Sequence, residues 1–77
     1  MSKETRKSVN QIIETAIDFF TGIYGFSISD SVPNCCIEFR NDLGYVTVQV
    51  FPKGKLNEVV LTTQEWDYQI MQFAEAI

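Results

Sequence analysis

Histidine is missing from this chain altogether, and that absence removes more chemistry than any motif present supplies. Without an imidazole there is no Ser-His or Cys-His nucleophile pair, no histidine general base and no His-bearing zinc site. Cysteine is nearly as scarce, since Cys35 and Cys36 are the only pair and are adjacent. Two neighbouring thiols make no disulfide framework, fall short of the ligands a structural metal needs, and lack the Cys-x-x-Cys spacing of a redox pair. On an extended strand their side chains point to opposite faces, which predicts Cys35 in the core and Cys36 on the outer face. A strained vicinal disulfide is the alternative.

Long hydrophobic runs are absent too. No stretch approaches the ~20 apolar residues of a membrane span, and Asn10, Gln11, Glu14 and Asp18 interrupt the first apolar segment. There is no signal-peptide pattern and no Asn-x-Ser/Thr acceptor. The expectation is a cytoplasmic protein with no membrane partner. Basic residues are few, 6 Lys and Arg against 10 Asp and Glu for a net charge of −4. Three of the cations, Lys3, Arg6 and Lys7, stand against Glu4 alone in the first seven residues, making that segment +2 and the body from Ser8 onward −6. Phosphate binding needs clustered Lys and Arg, so direct contact with nucleic acid is not expected, and Lys53 and Lys55 are too small a basic tip to change that. An acidic body suits either simple solubility or docking on a basic protein.

What is present is an ordinary globular balance, 45% apolar and 21% charged in 77 residues. A chain this short buries only about 60% of its unfolded surface, so a few kcal/mol of stability and one domain are expected. Val9, Ile12, Ile13, Ala16, Ile17 and Phe20 recur at the spacing of one helical face. Two starts compete for this first helix: Ser2 as cap gives a long helix with a polar first two turns, while Ser8 with Gln11 three residues on forms a capping box. Lys3, Arg6 and Lys7 would oppose the dipole at a helix start, which divides the chain into a flexible basic segment or frayed helix start at 1–7 and a single α+β domain at 8–77. Gly22 is placed to end the helix in a left-handed conformation. Residues 23–32 read equally as a short edge strand around 26–29 or as a loop packed through its apolar residues.

Beyond Pro33 two turns, at 41–44 and 52–55, fix a meander of strands at 35–40, 45–51 and 56–62. Phe39 then faces Val46, Ile37 faces Val48, Val48 faces Val59 and Val46 faces Leu61. The inner face carries Cys35, Ile37, Phe39, Val46, Val48, Val50, Val59 and Leu61. Thr62 and Glu65 supply a second capping box, and Trp66, Ile70, Phe73, Ala74 and Ile77 follow at helical spacing. The expected fold class is α+β: a two-layer sandwich in which an antiparallel three-stranded meander, with or without a fourth edge strand, carries an N-terminal and a C-terminal helix on one face in the order α-(β)-β-β-β-α.

Two surfaces are left over by folding. The outer sheet face presents Glu38, Arg40, Tyr45, Thr47, Gln49, Phe51, Glu58 and Val60, with Arg40 across from Tyr45 and Phe51 across from Leu56; aromatic, aliphatic and Arg side chains among hydrogen-bonding ones are interface-like. The last helix adds Glu65, Asp67, Tyr68, Met71 and Glu75, an acidic stripe around two adaptable apolar groups. Neither Gly22-x-x-Gly25 nor Gly54-Lys55 has the glycine pattern of a phosphate loop, and no cofactor or metal is expected. The leading expectation is a non-catalytic module that binds another protein stoichiometrically as inhibitor, adaptor or subunit, with basic or nucleic-acid-handling proteins among the partners. The alternative is a homodimer or larger homo-oligomer paired through the sheet face, structural or enclosing a small ligand. A minimal enzyme using Cys36 or a Glu38 and Glu58 pair ranks third.

Overall fold

The computed structural model describes all 77 residues. Its order is β1 (Ser2–Thr5), α1 (Val9–Ile17) continued by a π-helical segment (Asp18–Ile23), β2 (Ser27–Val32), β3 (Cys36–Asn41), β4 (Gly44–Lys53), β5 (Leu56–Gln64) and α2 (Asp67–Ala76). The strands form one five-stranded antiparallel sheet in the order β1-β5-β4-β3-β2. This is an α+β fold with five strands where three or four were expected. The stretch left open between strand and loop is the edge strand β2, bulged between Ile28 and Asp30.

The largest departure is at the start of the chain. Residues 1–7 are not a frayed helix start; Ser2–Thr5 pair with β5, Ser2 opposite Val60 and Thr5 opposite Asn57. Arg6 and Lys7 still lie just before the Ser8 cap of α1, whereas Lys3 and Thr5 meet the C-terminal end of α2. Lys3 Nζ donates to the Ala74 carbonyl, and the buried Thr5 Oγ1 donates to the Ile77 carbonyl at 2.8 Å. A helix end leaves carbonyls without partners and carries partial negative charge, so a cation and a hydroxyl there are favourable. Asn57 Nδ2 donates to the Lys7 carbonyl at 2.8 Å and holds the exit from β1. These contacts join residues 50 to 72 positions apart, which no local pattern can announce.

The capping box of Ser8 and Gln11 forms in both directions. Gly22 does not end the helix. The chain passes through it in the π-helical turn, and Gly25, at φ 69°, takes the left-handed role. Phe26 N–H then bonds to the Phe20 carbonyl at 3.0 Å and closes the helix end. The wider π turn inserts one residue into the helical repeat. Phe19 and Phe20 consequently both reach aromatic neighbours: Phe20 lies 5.7 Å from Phe26, 5.2 Å from Phe39 and 5.4 Å from Phe73, while Phe19 lies 5.8 Å from Phe73.

In the meander the first hairpin keeps the expected register, Phe39 opposite Val46 and Ile37 opposite Val48. Asn41 Oδ1 accepts from Leu43 N–H at 2.9 Å and Gly44 N–H at 3.0 Å, setting the turn. The second hairpin is shifted by two residues: Val48 faces Leu61, Val50 faces Val59, and Phe51 faces Glu58 rather than Leu56. The tight turn is centred on Gly54 and Lys55, with Gly54 at φ 63° in the first central position, where a two-residue hairpin of type II′ takes glycine. A two-residue shift leaves every side chain on its expected face. β5 also runs on through Gln64, opposite Tyr45, so Thr62 and Glu65 form no capping box. Thr63 Oγ1 donates to the Tyr45 carbonyl, Glu65 turns the chain at φ 77°, and α2 starts from Trp66 with no side-chain cap. β-branched Thr62 and Thr63 favour the strand, and pairing with β4 outweighs a local cap.

One core cluster unites Ile12, Ala16 and Phe20 with Phe26, the inward residues Ile37, Phe39, Val46, Val48, Val50, Val59 and Leu61, and Ile70, Phe73, Ala74 and Ile77 of the C-terminal helix region. Cys35 is only half-buried. Trp66 packs edge-on to Phe26 at 4.9 Å, and its buried indole N–H has no hydrogen-bond partner. No helix is long and apolar enough to cross a membrane.

Two substitutions test this packing. A Cβ on Gly44 would run into the Gln64 carbonyl oxygen, so Gly44→Ala should lower unfolding stability by about 1–3 kcal/mol, the usual cost of overpacking, measured by urea denaturation. Thr5→Val keeps the shape but leaves the Ile77 carbonyl without its donor; a loss of about 1–3 kcal/mol with faster amide exchange in α2 is expected.

Candidate functional site

The face opposite the helices is built by strand alternation, which puts every second residue outward in register across the strands. Its rows follow from the pairing: Arg40, Tyr45 and Gln64; Glu38, Thr47 and Thr62; Cys36, Gln49, Val60 and Ser2; then Phe51, Glu58 and Glu4. All eight sequence-predicted residues, Glu38, Arg40, Tyr45, Thr47, Gln49, Phe51, Glu58 and Val60, thus share one surface. Phe51 is 46% exposed, while Tyr45, Val60 and Leu56 are half-buried.

Arg40 anchors one end. Its guanidinium carbon lies 5.5 Å from the centre of the Tyr45 ring, within cation-π range, and its Nη2 lies 3.4 Å from Glu38 Oε1. Ser29, displaced by the bulge in β2, donates through Oγ to Glu38 Oε2 at 2.8 Å. That hydrogen bond holds the Glu38 carboxyl below its ordinary range, opposed by desolvation and helped by the Arg40 charge. At the other end Glu4 and Glu58 stand directly opposite one another, a repulsive arrangement. Lys53 Nζ, 3.6 Å from Glu4 Oε2, offsets it. Both cations of the face are therefore paired, while Asp30 and Glu58 have no cation partner.

Beside Cys36 lies a depression of ≈ 190 Å³ between β2, β3 and β4, lined by Asp30, Ser31, Val32, Cys36, Ile37, Glu38, Thr47 and Gln49. The contribution of β2 to it was not legible, because residues 23–32 read as strand or loop and the bulge between Ile28 and Asp30 reverses the alternation, setting Ile28 opposite inward Phe39 but Val32 opposite Cys36. Glu38 and Glu58 do not form a pair. They lie two strands apart and four residues out of step, a separation of about 16 Å from standard strand spacings. The lowered Glu38 carboxyl also moves opposite to the direction a general acid requires. No group of three or more His, Cys, Asp and Glu side chains gathers to hold a metal ion.

The second expected surface is brought together only in part. Asp67, Tyr68, Met71 and Glu75 are exposed on α2, but Glu65 lies outside the helix, in the connection from β5. A shallow groove of ≈ 280 Å³ runs beside Met71, Ala74 and Glu75 and is completed by Met1, Ser2 and Lys3. Tyr68 Oη accepts from Gln72 Nε2 at 3.2 Å, and Gln72 Oε1 accepts from Tyr24 at 2.6 Å, so part of this stripe is already engaged within the fold. No family model, curated protein or solved structure matches this chain, and the reading of the surface rests on its geometry.

Removing the Ser29 hydroxyl tests the electrostatics. In Ser29→Ala the Glu38 pKa should rise toward the ordinary carboxylate value, followed by carboxyl NMR titration. Because the folded value is the lower one, the contribution of Glu38 to stability is present above the ordinary carboxylate range and is lost as pH falls through the folded pKa.

Proposed function

We propose that this protein is a non-catalytic binding module that engages another protein stoichiometrically through the outer face of its sheet. The observation that supports the reading is that this face is left without a helix across five strands and carries Tyr45, Phe51, Leu56 and Val60 within a polar rim. Aromatic and Arg side chains among satisfied polar groups are the composition from which interface hot spots are drawn. The partner is one with an apolar patch flanked by Lys or Arg. The unpaired acids Asp30 and Glu58 lie on the face, and Glu65, Asp67 and Glu75 add to the negative field near α2. Such a field steers a basic surface toward the protein and disfavours a second copy of the same face. The two ends of the face serve different roles in this reading: Arg40 and Tyr45 form a stacked, oriented contact, and Phe51 is the exposed apolar anchor.

A Tyr45→Asp, Phe51→Asp double variant changes outward positions, so its far-ultraviolet circular dichroism should match the parent. Its affinity for a partner captured by the parent and then purified should fall by about 30-fold or more, corresponding to ~2 kcal/mol. Calorimetry should give one partner per chain, weakening as salt rises. Equal binding by parent and variant would remove the sheet face from the reading, and a concentration-dependent dimer of the chain alone in sedimentation would replace it with self-pairing.

A further inference from the structure

Cys35 and Cys36 stand at the foot of the connection from β2 to β3, where the chain turns through Pro33 and Asn34, the latter in the left-handed region at φ 61°. The structure joins them in a disulfide instead of separating them onto two faces as strand alternation alone predicts. Strand β3 accordingly starts at Cys36, and Cys35 belongs to the turn.

Two independent features make this bond chemically addressable. The first is adjacency. The Cα atoms are 3.7 Å apart here, so whichever thiol is attacked first has its resolving partner on the neighbouring residue. The second is access, because Cys36 is half-buried and lines the outer-face depression. A small thiol or disulfide approaching from solvent reaches its sulfur there, between Val32 on one side and Gln49 on the other.

The pair also occupies a mechanical position. Cys35 N–H donates to the Val32 carbonyl at 3.2 Å, and the Cys35 carbonyl accepts from Val50 N–H at 2.9 Å, linking the last residue of β2 to the centre of the sheet. Beside that link β2 is held only by its ladder to β3. All of its residues are exposed, it pairs on one side only, and its ladder is bulged between Ile28 and Asp30. An edge strand with so little burial belongs to the low-stability part of a fold.

We propose that Cys35 and Cys36 form a reversible dithiol-disulfide site whose state sets how firmly β2 docks on the sheet. The oxidant is a low-molecular-weight disulfide of the glutathione type. The Cys36 thiolate attacks it, its S–S bond breaks, one thiolate leaves, and Cys36 carries the mixed disulfide. The Cys35 thiolate then attacks the Cys36 sulfur, forming the Cys35–Cys36 bond and expelling the second thiolate. The protein loses two electrons, the small disulfide gains them, and the protons of both protein thiols pass to solvent and the released thiolates. Excess thiol drives the reverse. Once reduced, Cys36 points outward and Cys35 inward as on a plain strand, and the foot of the β2–β3 turn opens.

The test uses the whole chain equilibrated in graded ratios of reduced to oxidised glutathione, then quenched into denaturant with excess N-ethylmaleimide so that both thiols are accessible, and weighed intact. One transition is expected, from a monomer bearing two maleimides to a monomer bearing none. Across it, amide exchange in β2 should slow by about tenfold or more while that of 46–50 stays constant. Cys35→Ser should stop at a single glutathione adduct on Cys36, and Cys35→Ser, Cys36→Ser should exchange like the reduced chain at both ends of the series. Two maleimides at every ratio, oxidation only to intermolecular dimers, or an internal bond that leaves β2 exchange unchanged would each overturn the proposal.

Discussion

The fold depends on the contact that Phe20 makes with three other elements. Its ring meets Phe26 at the entry to β2, Phe39 on β3 and Phe73 on α2, and it is fully buried. An aromatic side chain removes about 150–250 Å² from water, a large share of what a small domain can bury. Only 16 of 77 residues are buried, so the core has little redundancy. The π-helical turn belongs to the same constraint, because it lets Phe19 and Phe20 both find aromatic neighbours where a regular helix would turn one of them away.

With one sheet face committed to that core, the other is free for contact with other molecules. Its register leaves Arg40 stacked on Tyr45 at one end and Phe51 exposed at the other, with hydrogen-bonding side chains between. Glu38 and Glu58 lie far apart on this face, Glu38 is biased toward its charged form, and the depression beside Cys36 is walled by β2, β3 and β4. The redox-active position of the cysteine pair lies on the rim of this same face. A change in β2 there alters one wall of the depression without touching the core, since β2 contributes no buried residue.

Much of the architecture was legible because it is encoded locally. The capping box at Ser8, the stripe from Val9 to Phe20, and the alternation in β3, β4 and β5 each carry their own signal within a few residues. The second hairpin shows how robust such a signal is. Its turn sits elsewhere than expected, yet a shift of two residues preserves both faces, and the surface assignment of all eight sheet residues survives. The second capping box failed for a related reason, since Thr62 and Thr63 carry a strand preference that pairing with Thr47 and Val46 exploits and that a helix start does not.

The sequence by itself therefore determined the α+β class, the inner and outer faces of the central strands, and which residues meet on the exposed surface, because periods of two and 3.6 translate directly into direction. Tertiary structure alone decided the place of the first seven residues, the strand character of β2 and the joining of the two cysteines. Lys3 and Thr5 are polar residues with no local signal, and their role exists only where folding brings the end of α2 to meet them. β2 is a strand because β3 offers it an edge. The cysteines come together because a turn beside a left-handed Asn34 overrides the alternation that their sequence position implies.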